Sequence, residues 1–365
     1  MKKLIFIILF LVVFTLSVSA ESTYKGQYDA SGAKEIYDLL PEDARKTIDE
    51  LEIDISNPDW TSKITTEGVF TQIWDFIKQG SKTPLRAGGG MVAVIILLAA
   101  VSAFDWFKTL EGMTSYIFTA ICAAGLLFPM FSMIESCSEA VKGIGTLMTG
   151  FVPLYAGILT AAGQAATASG MSFLLLAAAG AVGNLSSFVI VPLMSCYLGV
   201  AVAATVMPMS GTNRLGEGIK KTAMWILSLA LTLFLGLLSI QTAVNKAGDN
   251  LGLKAARFMI GSFVPVAGGA LSETLTTLIG SVKLLKSSVG MFGVLGIAVT
   301  VIPAVLELLI WRIVLFGLDI AAELFGIRAK TDLLRAADSV IAVLIGVMLF
   351  TAALFIISLA VVSGG

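Results

Sequence analysis

Four charged residues near the end of the chain, Arg312, Asp319, Glu323 and Lys330, stand 7, 4 and 7 positions apart. At 100° per residue they share one helical face, and Val314, Leu315, Leu318 and Ala321 fill the opposite one. Two readings fit such an amphipathic segment: a helix lying in the membrane interface, or a polar face lining an aqueous path. Glu273 and Glu307 border apolar runs, with Lys283 and Lys286 near the first. They read as helix-end charges rather than proton relays.

Residue types exclude most other chemistry. There is no histidine, so no Ser-His or Cys-His nucleophile pair and no His-ligated metal site can form. Cys122, Cys137 and Cys196 make no CxxC pair and read as small apolar packing residues. The stretch from Gly211 to Glu217 spaces two glycines like a phosphate-binding loop, but Glu217 stands where that loop needs lysine. Gly88-Gly89-Gly90 reads as a hinge, and no serine is flanked as a nucleophile elbow requires. The expectation is a protein that is not an enzyme, with no catalytic, cofactor-binding or metal-ligating residues. A net charge of −1 gives no sign of a nucleic-acid partner.

Backbone chemistry offers more. Gly150-Phe151-Val152-Pro153-Leu154-Tyr155-Ala156-Gly157 echoes Ser262-Phe263-Val264-Pro265-Val266-Ala267-Gly268-Gly269, with the prolines 112 residues apart. Val191-Pro192 echoes Ile302-Pro303 at a separation of 111. The matched spacing predicts an internal repeat, with units at about 112–208 and 222–327. A proline inside a helix removes one N–H and frees backbone carbonyls. In lipid those groups need another partner, so broken helices are kept where they are buried or line a wet cavity. Paired interruptions in two halves point to a transport path, and simple packing kinks are the alternative. Phe151, Val152, Pro153, Gly157, Phe263, Val264, Pro265 and Gly268 are therefore the candidate pore or re-entrant residues.

These residues sit in a chain built for a bilayer. It is 57% hydrophobic and 13% charged, against about 45–50% and about 25% in soluble domains. Lys2 and Lys3, an apolar run from Leu4 to Val18 and the small residues Ser19-Ala20 predict a signal peptide over residues 1–20. Residues 21–86 hold 13 acids and 8 bases, a net of −5, and predict a small acidic helical domain outside the cytoplasm. One helix starts at Pro41-Glu42-Asp43 and another restarts at Asn57-Pro58-Asp59; Phe70, Ile73, Trp74 and Ile77 mark a third. So few large apolar groups make a marginal core that needs a partner or a membrane surface to lean on.

Residues 87–365 read as a polytopic helical region. Seven uncharged runs occupy 87–104, 112–134, 143–213, 222–245, 258–272, 287–306 and 339–362, and a crossing needs roughly 20 apolar residues. The 71-residue run from 143 to 213 has room for three crossings. Three basic clusters, Arg214/Lys220/Lys221, Lys283/Lys286 and Arg328/Lys330/Arg335, are assigned to the cytoplasm. The fold class is thus all-α: a polytopic membrane protein behind a signal peptide and a small exported domain.

The stretch from Ala256 through Phe263-Val264-Pro265, Glu273-Thr274 and Val282-Lys283-Leu284-Leu285-Lys286 to Gly290 resembles the stage III sporulation protein AE family. The plan of signal peptide, helical domain with Leu40-Pro41-Glu42 and polytopic remainder agrees over nearly the whole chain. The resemblance implies a subunit of the channel, akin to a secretion system or feeding tube, between mother cell and forespore. It implies a place in the mother-cell membrane around the forespore. Implied partners are a secretion-type ATPase and ring-forming membrane proteins, with the lipid bilayer around the chain. Composition and spacing alone leave a stand-alone secondary transporter and a recruiting scaffold open.

Overall fold

The computed structural model describes residues 21–57, 59–102, 111–206, 212–263, 268–324 and 332–363. The expected signal peptide lies outside them. Every described element is a helix: α1 (Glu21–Ala30), α2 (Glu35–Asp38), α3 (Glu42–Glu50), a 3-10 turn (Trp60–Lys63), α4 (Thr66–Ser102), α5 (Glu111–Ala161), α6 (Ala165–Asn184), a π-helical segment (Leu185–Ile190), α7 (Val191–Val206), α8 (Thr212–Phe263), α9 (Gly268–Leu324) and α10 (Asp332–Ser363). Five stretches are long and apolar enough to cross a bilayer: Ala123–Ala161, Ala165–Ala203, Glu217–Leu251, Val282–Leu324 and Leu333–Ser363. The chain is an all-α, multi-pass membrane protein.

The spans differ from the uncharged runs in an instructive way. The runs at 112–134 and 143–161 belong to one helix, α5, of 51 residues, which at 1.5 Å per residue is about 76 Å long. The charged stretch between them is not a loop. The 71-residue run contributes the end of α5 and the α6–α7 span rather than three crossings. The run at 258–272 is divided between the end of α8 and the start of α9 and is not among the five spans. The basic clusters separate as a result. Lys220 donates to Ser339 at 3.2 Å, so the starts of α8 and α10 share one end of the bundle. Lys286 lies at the opposite end, donating to Gln164 beside the α5–α6 turn. One span, Val282–Leu324, carries α9 between those ends, so Lys283 and Lys286 cannot share a side with Arg335.

Local signals explain the turns. Gly163 at φ +78° closes α5. Its N–H bonds to Thr160 O at 3.0 Å, and the Gln164 N–H bonds to Leu159 O at 2.9 Å. These are the two bonds of a glycine-dependent helix stop. Pro192 is the second residue of α7, directly after the π-helical Leu185–Ile190. The wider turn there takes up a residue that has no N–H to give and a ring that crowds the previous turn.

Residues 24–60 do not stand apart. Tyr24, Ile36, Leu40, Ile48 and Trp60 are buried in the same core as the spans. Leu40 reaches Gly296 of α9, and Leu39 lies over Gly150 of α5, where an added Cβ would meet it at 2.5 Å. α3 begins after Pro41, as its residues predict. The Phe70–Ile77 helix, however, is the start of α4, which runs unbroken for 37 residues and past the 86/87 boundary.

Candidate functional site

α5 and α9 meet in a close seam within the core. The helices run antiparallel, with Gly290 against the Tyr155 hydroxyl, Gly293 against Phe151 and Gly296 beside Leu147. A Cβ at Gly293 would stand 2.9 Å from the Phe151 ring and 3.0 Å from Leu359 of α10, so glycine sets the approach of three helices. Phe151 and Tyr155 stack with centroids 5.3 Å apart, and the Tyr155 hydroxyl donates to Lys286 O at 3.3 Å. Phe151 and Val152 are thus core residues. Pro153 and Gly157 point outward from an unbroken helix, and nothing lies within 4 Å of a Cβ built on Gly157. Phe263 is the last residue of α8 and Gly268 the first of α9. Val264 and Pro265 lie outside the described residues, and with them the expected meeting of the two Phe-Val-Pro segments.

Pro153 and Gly157 belong to a longer outward row on α5. Ser132, Glu135, Ser136, Glu139, Lys142, Thr146, Thr149 and Thr160 are also exposed and recur at helical spacing. The height of this row is fixed by its neighbours. Cys137 Sγ lies 3.8 Å from Leu344 O, while Phe151 and Leu359 meet at Gly293. Glu139 and Lys142 are therefore level with the middle of the uncharged Ser339–Val362 run of α10. Along its span α8 exposes the large apolar residues Trp225, Leu229, Leu233, Leu237, Ile240 and Val244, with Ser228, Thr232 and Ser239 among them and no charge. One side of the bundle is fit for lipid and the other carries charge.

The Arg312 row resolves into separate roles. Arg312 holds Asp338 of α10 through two bonds of 2.6 and 3.1 Å. Asp319 is half-buried, its Oδ1 without a partner, and Glu323 is exposed. Lys330 lies outside the described residues. The segment is the final part of α9, with Leu315, Leu318 and Ala322 buried beneath it. A cleft of 730 Å³ between α9 and α10 is lined by Arg312, Asp319, Arg335 and Asp338 together with Ile313 and Phe316.

A second polar cluster closes the other end. Asp249 of α8 accepts from the N–H groups of Ala166 and Thr167 at 2.8 and 3.2 Å and from the Thr167 hydroxyl at 2.5 Å. The start of α6 is thus capped by another helix. Buried Lys286 donates to Gln164 at 3.0 Å. Gln241 donates to Asn245 at 3.0 Å, and the space both need comes from Gly170. A cavity of 210 Å³ opens among Gln164, Thr167, Thr242, Asn245, Lys246 and Asp249. Sequence reasoning passed over Asp249, although it is the only acid between Glu217 and Glu273. Among the described residues no group of acids and cysteines is arranged to hold a metal.

A family model described as Stage III sporulation protein AE matches residues 60–365. Stage III sporulation protein AE of Bacillus subtilis (strain 168) is 27% identical over 173 residues, covering 47% of this chain and 43% of that protein. The matched part thus spans less than half the length of that curated relative. No solved structure matches the chain.

Proposed function

The chain belongs to the stage III sporulation protein AE family, and from that premise we propose that it is a membrane subunit of a channel between mother cell and forespore, required to complete the endospore. The observation that carries this reading is the outward row of α5. Glu135, Glu139 and Lys142 are exposed at the height of the spans, whereas the exposed face of α8 between Lys221 and Lys246 carries no charge. A self-sufficient transporter keeps such charges inside its own bundle. A subunit leaves them for an assembly to cover. The chain would act in the mother-cell membrane around the forespore without catalysis. Its partners would be a secretion-type ATPase and ring-forming membrane proteins.

The cavity beside Asn245 and Asp249 favours a second reading, a secondary transporter for a small polar solute. One comparison separates the two. Deleting the gene from its spore-forming host should leave vegetative growth intact and stop development after engulfment, with heat-resistant spores lost. Normal spore yields from the deletion strain would refute the proposal, and a growth defect on a single nutrient would favour the transporter.

A further inference from the structure

Glu135, Glu139 and Lys142 have no hydrogen bond or ion pair among the described residues, and all three are exposed. At the height of the spans lipid is an unfavourable neighbour for them. The adjacent helix α4 carries a second charged row. Asp75 and Lys78 are 46% and 60% exposed and pair along their own helix at 3.3 Å. Lys82, one turn further, is exposed and unpaired among the described residues.

The two rows match in spacing and in sign. Along α4 the residues Asp75, Lys78 and Lys82 advance by 3 and then 4 positions. Along α5, in the same spatial direction, Lys142, Glu139 and Glu135 also advance by 3 and then 4. Each step opposes unlike charges: Asp75 with Lys142, Lys78 with Glu139, Lys82 with Glu135. The heights match as well. Within one copy α4 and α5 pack antiparallel, with Met91 against Gly125, and the three pairs fall within one residue of that register. α4 is also tied to α9 at this level, with Gly80 against Glu307 and Gly88 against Val314.

We propose that a second copy of this chain covers these rows, with α4 of one copy lying against α5 of the next. The copies are related by rotation about an axis along the membrane normal. Rotation of that kind preserves height, which is the condition for the three pairs to form together, and closed rotational symmetry is the common plan of homo-oligomers. Inside one copy the two rows form no ion pair with each other. The change of sign after the first position of each row fixes the register, since a slip of one helical turn brings Lys78 toward Lys142 or Asp75 toward Glu139. The contact rests on the channel reading and deepens it, by supplying the neighbour that a subunit requires.

The test uses two differently tagged full-length copies, co-expressed in one membrane after replacement of Cys122, Cys137 and Cys196. One carries Lys78→Cys and the other Glu139→Cys. A short bifunctional thiol reagent should join the two tags, whereas Lys78→Cys with Leu233→Cys should give nothing. In a second arm, Lys78→Glu with Lys82→Glu should weaken co-purification of the tags about ten-fold or more. Adding Glu135→Lys and Glu139→Lys to the same chain should restore it. Joining at 78–139 no better than the control overturns the proposal, as does charge reversal without effect or without rescue. Modification of both cysteines by an impermeant thiol reagent, with no joining, assigns the rows to water and also overturns it. Neither arm reads spore formation, so failure here leaves the proposed function standing. Normal sporulation of the deletion strain would remove that function without touching this contact.

Discussion

Gly293 and Gly157 show how alike two glycines look in a sequence and how differently they act. A Cβ at Gly293 meets Phe151 at 2.9 Å and Leu359 at 3.0 Å, and one at Gly157 meets nothing within 4 Å. Gly293→Ala should therefore destabilise by about 1–3 kcal/mol, because rigid rings and packed helices have no room to give. Gly157→Ala should be neutral or gain up to about 1 kcal/mol, since alanine suits an exposed helical position better. Thermal unfolding of the purified variants in one detergent measures both, and equal losses would contradict the packing described here. The sequence made Gly157 a candidate for its neighbour Pro153, and a local motif says nothing about which side of a helix meets a partner. Conversely, Lys286 looked like an ordinary helix-end charge and Asp249 drew no notice. Their roles depend on Gln164 and Thr167, 122 and 82 residues away, and such distances leave no periodic trace.

At the scale of elements, helix identity was legible and helix extent was not. Apolar periodicity and uncharged length found the spans. Charge was mistaken for punctuation, because Glu135, Glu139 and Lys142 separate two uncharged runs yet continue one helix. The N-terminal elements were legible in outline and their docking was not, since it depends on one serine of α9. Trp60 Nε1–H donates to Ser288 Oγ at 2.7 Å, and Ser288 Oγ and the Tyr24 hydroxyl share a bond of 2.9 Å. Tyr24 also donates to Ile55 O at 2.9 Å. Ser288→Ala leaves the buried indole N–H without an acceptor, at a cost of about 1–3 kcal/mol. It should loosen residues 21–63 before the spans, seen as faster proteolysis of that segment with the remainder intact. Simultaneous loss of both would show that the segment is no separate unit of stability. The same region has a predictable alkaline limit. Burial, with Asp54 adding to it, pushes the Tyr28 phenol up to about 12. A raised phenol favours the neutral form in the folded state, so its contribution is complete below about 10, the ordinary value, and is lost as pH rises toward 12. Trp60 fluorescence should report release over that window in the native protein, and Tyr28→Phe should shift it upward.

For the whole molecule, the central claim is that its two sides meet different surroundings at the same height. The α8 side presents Trp225, Leu229 and Leu233, and the α5 side presents Glu135, Glu139 and Lys142. Composition predicted a polytopic bilayer protein, but a one-dimensional reading cannot say which charges share a level with which apolar runs. That level follows from the Cys137–Leu344 and Phe151–Gly293–Leu359 contacts. The most direct measurement places a thiol-linked fluorophore at Glu139→Cys or Leu233→Cys in an otherwise cysteine-free chain. Each protein is reconstituted in bilayers whose lipid tails carry bromine at mid-depth. Bromine quenches only what it touches, so the account predicts strong quenching at position 233 and little at position 139. Equal quenching at the two positions would place the α5 row in lipid and contradict it.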